Sequence, residues 1–329
     1  MTDNLRNDDS DIVVWHVGGE GGYGEAQTIL EKLAPGGRLV VFEARTDSKD
    51  DTMLAERLSA GGIKTTIVFK GVGKIAGTSP FYVNKHPWSS SLLPPSPLAV
   101  NENPCYTHVH TWGEDTELDR LINVETVTLD DILALGTVPA PDIISMDAQG
   151  AELRILEGGQ KALARALCVM TEVEYFEIYE EQHLFDDQMR FLTNKGFRLV
   201  EVLNPQYWHP GPAAGKGFLT VGEATFIRYA AKIPAMEGKR GYVPIETLSD
   251  AELLRLLGIV MASEMFGYTY TLAKELQVRN PEMYARLPNL PGYYKIVQPL
   301  VKAMDENWDS YKADPLWFLK MKIGIGRQP

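Results

Sequence analysis

The sequence predicts a parallel, doubly wound α/β sheet followed by an all-helical extension, and three observations carry that prediction. Short apolar runs rich in β-branched residues alternate at short spacing with helix-period stretches across residues 12–229. A glycine cluster separates the first of these runs from the first helical stretch. From Thr247 onward the apolar periodicity is helical only.

The elements follow in chain order. The polar, acidic start up to Asp11 is expected to be disordered, and residues 12–17 read as a short buried strand. Ala26, Ile29, Leu30 and Leu33 fall at helical spacing, with Pro35-Gly36-Gly37 as the stop. Residues 38–43 form the second strand, 53–60 the second helix, closed by Gly61-Gly62, and 64–69 the third strand. Residues 71–123 break the rhythm. They hold a strand pair around Phe81-Tyr82-Val83, the run Ser89-Ser90-Ser91-Leu92-Leu93 and a loop at Pro94-Pro95-Ser96-Pro97. An insertion of that length reads as a lid or a substrate-binding segment.

The alternation resumes over 124–135, and 142–147 is a continuous buried strand. A helix over 152–167, weakened by Gly158-Gly159, is followed by a strand over 168–173 and a helix over 187–195. Strands over 197–203 and 224–229 complete the sheet. In the extension, Ser249-Asp250-Ala251-Glu252 has the form of a capping box and opens a long apolar helix reaching about Val278. Further helices are expected over 293–307 and 315–323. The expected organisation is a tail over 1–11, a sheet domain over 12–235 and a helical extension over 236–329.

Composition narrows the function. The chain has 329 residues, 44% hydrophobic and 23% charged, which is ordinary for a folded globular protein and has room for about two domains. Two cysteines, Cys105 and Cys168, are too few for a disulfide framework or a zinc cluster. With a start unlike a secretory signal, they point to a reducing, cytoplasmic setting. The most apolar late stretch, residues 253–276, is interrupted by Arg255, Glu264 and Lys274, so no membrane span is expected. The net charge of −12 is uneven: residues 236–329 are close to neutral, and the first 235 carry 20 basic against 33 acidic side chains. Nucleic acid and anionic membrane surfaces are therefore poor partners. A small neutral or cationic ligand is easily accommodated.

The glycine cluster is the first functional motif. Gly18, Gly19, Glu20, Gly21, Gly22, Tyr23 and Gly24 lie between the first strand and the first helix, and residues 19–24 spell G-x-G-x-x-G. Glycines there let the chain turn sharply and a ligand approach the backbone without meeting a Cβ atom. The helix N-terminus beyond suits a carboxylate or phosphate. Glu43, followed by Ala44, stands about 20 residues on, where a carboxylate accepts hydrogen bonds from both hydroxyls of a ribose. A nucleoside-containing cofactor follows. A nicotinamide dinucleotide and S-adenosylmethionine both fit, as an oxidoreductase or a methyltransferase. Later strand ends lack a second glycine-rich loop, which favours the methyl donor.

The second half adds a longer constellation. Thr128-Leu129-Asp130-Asp131-Ile132-Leu133, then residues 142–152, Leu156-Glu157-Gly158 and Thr171-Glu172-Val173 occur in order. Leu184-Phe185-Asp186, Phe191-Leu192 and Gly196-Phe197-Arg198-Leu199 follow, and Phe81-Tyr82-Val83-Asn84-Lys85 leads into the serine run upstream. In these motifs the chain resembles the FkbM family of S-adenosylmethionine-dependent methyltransferases over roughly residues 12–230. The resemblance implies a seven-strand Rossmann-like sheet and O-methylation of a hydroxyl on a sugar or natural-product acceptor. The chain departs from the family at His16, where an acid is usual, at Gly19-Glu20, where Ala-Asn is usual, and at Lys70-Gly71-Val72-Gly73, where an acid is common. A non-catalytic relative acting as a scaffold is therefore an alternative beside the oxidoreductase.

Ligands of open parallel sheets bind beyond the carboxyl ends of the strands, so Asp147 and Glu172 are placed at the reactive end of the site. Asp147 is the first candidate for base or acceptor-orienting group, and Glu172 for a group acting with it. His86 in the inserted segment is a candidate for the acceptor pocket, as is His183. Tyr175, Phe176 and Tyr179 either wall that pocket or pack in the core. His108-x-His110 has no third ligand at suggestive spacing, so no metal centre is expected. The helix after Ser249 is apolar on more than one face and must be covered. Its own domain, the acceptor cleft and a second copy in a homodimer are all open as covers, and its own domain is preferred.

Overall fold

The computed structural model describes residues 8–18, 37–45, 62–102, 110–211, 215–232 and 241–306. The strands in chain order are β1 (Val13–Val17), β2 (Arg38–Phe42), β3 (Lys64–Val68), β4 (Gly71–Val72), β5 (Gly77–Asn84), β6 (Leu118–Val127), β7 (Ile143–Met146), β8 (Cys168–Glu174), β9 (Phe197–Trp208) and β10 (Phe218–Arg228). The helices are α1 (Pro97–Glu102), α2 (Trp112–Asp115), α3 (Leu129–Leu135), α4 (Glu152–Gly158), α5 (Gln160–Arg165), α6 (Phe185–Asn194), α7 (Asp250–Ala262), α8 (Phe266–Arg279), α9 (Pro281–Arg286) and α10 (Val297–Glu306). The helices expected near residues 26–33, 53–60 and 315–323 lie outside the described residues.

Seven strands form the central sheet in the order β3-β2-β1-β7-β8-β10-β9. The first five run parallel; β10 is antiparallel to both neighbours. The doubly wound α/β expectation therefore holds, with one reversed strand that alternation alone did not reveal. That strand is also longer than expected: its first part, Phe218–Val221, pairs with Gln206, Tyr207 and Trp208 at the end of β9. The sheet is buried on both faces, as parallel sheets are.

Successive strand residues point to opposite faces. Val14, Leu39, Val41, Ile143, Cys168, Met170 and Ile227 pack against Leu253, Leu257, Leu272, Leu300 and their neighbours in the C-terminal helices. Val13, Trp15, Val40, Phe42, Ile144, Val169 and Phe226 pack against α3 to α6. The apolar helix after Ser249 thus has its cover in its own chain. Its capping box is formed: the Ser249 hydroxyl accepts the Glu252 N–H at 3.2 Å, and the Glu252 carboxylate accepts the Ser249 N–H at 2.9 Å.

The long helix expected to reach Val278 is two helices. Met265 N–H donates to Val260 C=O, Glu264 N–H donates to Met261 C=O, and Glu264 has φ +58. That is a Schellman closure with glutamate in the left-handed position glycine usually takes, so no glycine announced the break. The helix expected over 152–167 is likewise two, α4 and α5, parted at Gly159. A Cβ on Gly158 would come 2.6 Å from the Gly73 carbonyl oxygen, so glycine lets α4 pack against the loop after β4.

The inserted segment builds its own three-stranded sheet, β4-β6-β5. The partner of β5 is β6, which runs past the expected end of the insertion into the stretch read as resuming the alternation. Among the described residues no helix is long and apolar enough to cross a membrane.

Candidate active site

The carboxyl ends of β1, β2, β3 and β7 open into one cleft, walled on its far side by the inserted segment. Val17, Gly18, Phe42, Glu43, Ala44, Lys70, Trp88, Ser90, Asp147 and Gln149 are among its lining residues. Backbone hydrogen bonds lock the strand ends together: Gly18 N–H to Phe42 C=O at 3.1 Å, Asp147 N–H to Val17 C=O at 2.9 Å and Glu43 N–H to Val68 C=O at 3.1 Å. Gly18 has φ +97, and a Cβ there would lie 1.9 Å from the Asp147 carbonyl oxygen. Only glycine fits that position.

The structure brings together Gly18, Glu43, Ala44 and Asp147 from the expected set. Gly19, Glu20, Gly21, Gly22 and Tyr23 lie outside the described residues. Glu43 is buried just past β2, and its carboxylate accepts the Arg45 N–H at 2.8 Å, which holds the side chain at the cleft. His16, one turn of strand below, is 2% exposed, and its Nδ1 lies 3.0 Å from the Ser145 hydroxyl. Burial pushes its imidazole down to about 4, so it is neutral at physiological pH.

Gln149 was missed in the sequence and organises the rim. Its Nε2 donates to Asp147 Oδ1 at 2.7 Å and to Glu172 Oε2 at 3.0 Å, one N–H for each carboxylate. The Tyr179 hydroxyl lies 2.9 Å from Gln149 Oε1 and 2.8 Å from the Ser89 carbonyl. The Ser91 hydroxyl donates to the Gln149 carbonyl at 2.7 Å. The serine run therefore docks the insertion onto the loop after β7. Glu172 reaches the cleft through Gln149 and does not line it.

Burial raises the Asp147 carboxyl above its ordinary value, with the Gln149 hydrogen bond opposing. Glu152 is pushed up to about 7, and Glu172 and Glu174 well above the carboxylate range, by burial first and then by the neighbouring carboxylates, Asp147 among them. Glu152 and Glu174 were not singled out in the sequence, although residues 172 and 174, two apart on a strand, share a face.

His86 precedes Pro87 and Trp88, which line the cleft. Its Nε2 lies 3.3 Å from Asp115 Oδ1, and His110 Nδ1 lies 3.4 Å from the same oxygen. Asp115 is fully buried in α2, and burial raises its carboxyl, with His86 opposing. Folding brings His86 and Asp115 to His110 from outside the H-x-H spacing, while His108 lies outside the described residues. His183 does not join the cleft; it lines a separate groove with Arg154, Glu157 and Glu181. Tyr175 packs on Phe185 with ring centroids 5.3 Å apart, and Phe176 packs with Trp112 and Trp208, so of the three aromatics only Tyr179 touches the site.

Residues 16–199 match the methyltransferase FkbM domain. The chain is similar to the 2-O-methyltransferase NoeI of Sinorhizobium fredii, 39% identical over 64 residues covering 20% of this chain and 26% of that protein. It is also similar to the hexuronic acid methyltransferase AglP of Haloferax volcanii, 34% identical over 80 residues covering 24% of this chain and 29% of that protein. The matches thus span less than a third of either relative's length. Among solved structures, the C-terminal domain of precorrin-6Y C5,15-methyltransferase from Rhodobacter capsulatus aligns over 69% of this chain and 86% of its own, at 12% identity and a TM-score of 0.27. The family match covers more than half of the chain and includes the strand ends that build the cleft: the protein belongs to the FkbM methyltransferase family.

Proposed function

We propose that this protein is an S-adenosylmethionine-dependent O-methyltransferase whose acceptor is a hydroxyl of a sugar or a similar polyhydroxy compound. The observation that carries the reading is the pairing of Gly18, bare of a Cβ at the rim, with the buried carboxylate of Glu43 in the same cleft. Those two features fit an adenosine: Glu43 would accept hydrogen bonds from the ribose hydroxyls, and Gly18 and Ala44 would let the donor lie against backbone. The 2-O-methyltransferase NoeI supports transfer to oxygen, and the hexuronic acid methyltransferase AglP supports a sugar acceptor.

When bound, S-adenosylmethionine supplies an activated methyl group on a sulfonium, so the protein's work is chiefly positioning. Asp147, at the cleft floor, accepts a hydrogen bond from the acceptor hydroxyl and orients it. Gln149 fixes that carboxylate by its 2.7 Å hydrogen bond. The hydroxyl must also lose its proton, and His86, in the segment that walls the cleft, is the candidate base: Asp115 lies 3.3 Å from its Nε2, which leaves Nδ1 to accept a proton. Trp88 gives the acceptor an exposed aromatic face beside the cleft.

Calorimetric titration with S-adenosylmethionine tests the reading. One site per chain is expected, with affinity falling about 10–100-fold in Glu43→Ala, the loss of charge-assisted hydrogen bonds to two hydroxyls. Absence of binding heat in the wild-type protein would overturn it. Methylation of hexuronic-acid glycosides, followed by mass spectrometry, then tests the acceptor class, and His86→Asn is expected to lower kcat with little change in donor affinity.

A further inference from the structure

Three buried carboxylates converge behind the cleft. Glu152 opens α4, Glu172 and Glu174 share one face at the end of β8, and one oxygen from each lies within 4.8 Å of the others. Glu152 Oε1 is occupied by the Ala148 N–H at 2.7 Å, and Glu172 Oε2 by Gln149. Glu152 Oε2 and both oxygens of Glu174 have no hydrogen-bond partner, although the residues are 1% and 0% exposed. Among the described residues no lysine or arginine pairs with any of the three. A buried carboxylate normally has its lone pairs satisfied or its charge matched; Glu174 has the Gln182 amide beside it but no hydrogen bond of normal geometry and no cation among the described residues.

We propose that Glu152, Glu172 and Glu174 form a binding site for one hard divalent cation of the size of Ca²⁺ or Mn²⁺. The unpartnered, fully buried Glu174 side chain, aimed at the other two, separates this cluster from an ordinary acidic patch. Oxygen-only donors suit Ca²⁺, Mn²⁺ and Mg²⁺ rather than zinc or copper. Two oxygens bound to one Ca²⁺ at roughly 2.3–2.6 Å can stand up to about 5 Å apart, so oxygens that lie within 4.8 Å of one another can share a single ion. The ion would be linked to Asp147 through two side chains, Glu172 and Gln149, and would hold the rim carboxylates in register.

The site is independent of the methyl-transfer reading and is tested without donor or acceptor. The full-length chain, stripped with chelator, is titrated with Mn²⁺ followed by the loss of its free-ion electron paramagnetic resonance signal, and with Ca²⁺ by calorimetry. One saturable equivalent per chain is expected, with affinity at least tenfold weaker in both Glu174→Gln and Glu152→Gln. Thermal unfolding in chelator reports that those variants fold, and added Ca²⁺ should raise the wild-type transition alone. No saturable uptake up to about 1 mM Ca²⁺, the weak end of protein calcium sites, would overturn the proposal. So would full uptake by Glu174→Gln, or uptake lost only in Asp115→Asn, which would place the ion at the histidine cluster.

Discussion

The two ends of the central sheet treat buried charge in opposite ways. At the amino ends of the strands, Asp142 is 1% exposed and meets Arg255, 4% exposed, at 2.8 Å. Its second oxygen accepts the Val13 N–H at 2.9 Å. At the carboxyl ends, Glu152 and Glu174 are as deeply buried and have no cationic partner among the described residues. Taking ions out of water costs several kcal/mol each, which good pairing geometry offsets. One end of the sheet carries that compensation in its own covalent chain, through a helix that begins more than a hundred residues later. The other end leaves it to whatever binds there. Charge at the amino end is therefore part of the architecture, and the carboxylates at the carboxyl end are where the proposed cation would act.

The largest test of that contrast is Arg255→Met. It strands Asp142 in the core, and chemical denaturation should show a loss of about 3–5 kcal/mol, most of it recovered when Asp142→Asn is added. Glu174→Gln, by contrast, strands nothing and should leave stability in chelator unchanged or higher. If both single changes destabilised equally, the two ends would not differ in kind.

A second test uses acid. His16 lies in β1 between the two ends, and burial holds its folded-state value at about 4 against an ordinary 6.5. The unfolded chain therefore binds a proton that the folded chain refuses. Stability attributable to His16 is fully present above pH 6.5 and is lost as pH falls from there through 4. The size is on the order of 3 kcal/mol, from 1.36 kcal/mol per unit. Denaturation midpoints measured from pH 7 to 4 should fall less steeply in His16→Gln than in the wild type.

The contrast also explains what could be read from the sequence. The parallel core was legible because β1, β2 and β7 are short apolar runs, and Gly18, Glu43 and Asp147 are placed by their offset from strand ends. Those signals are local. Asp142–Arg255 is 113 residues apart in sequence, and His86, His110 and Asp115 meet only because β5 pairs with β6 across the insertion. No spacing rule reaches that far. Gln149 escaped notice for another reason: an amide has no catalytic signature, and its value lies in having two N–H groups aimed at two carboxylates. The break after α7 was hidden because Glu264 sits where a glycine would have marked it.

The smallest effect expected is at the seam between insertion and rim. Ser91 Oγ donates to the Gln149 carbonyl at 2.7 Å and accepts the Leu93 N–H at 3.0 Å, and the residue is 1% exposed. Ser91→Ala removes both bonds without opening a sizeable cavity, so the global loss should be about 1 kcal/mol. Because the bonds hold one local seam, the change should surface first as local opening. Amide exchange at Leu93 should quicken, while amides of β1 and β7, held by the sheet ladder, keep wild-type protection. Donor affinity should weaken by less than in Glu43→Ala, since Gln149 keeps its side-chain bonds to Asp147 and Glu172 when its carbonyl loses a donor. Exchange that quickened equally across β1 and Leu93 would mean that the insertion and the sheet open as one unit, and that the rim is no softer than the core beneath it.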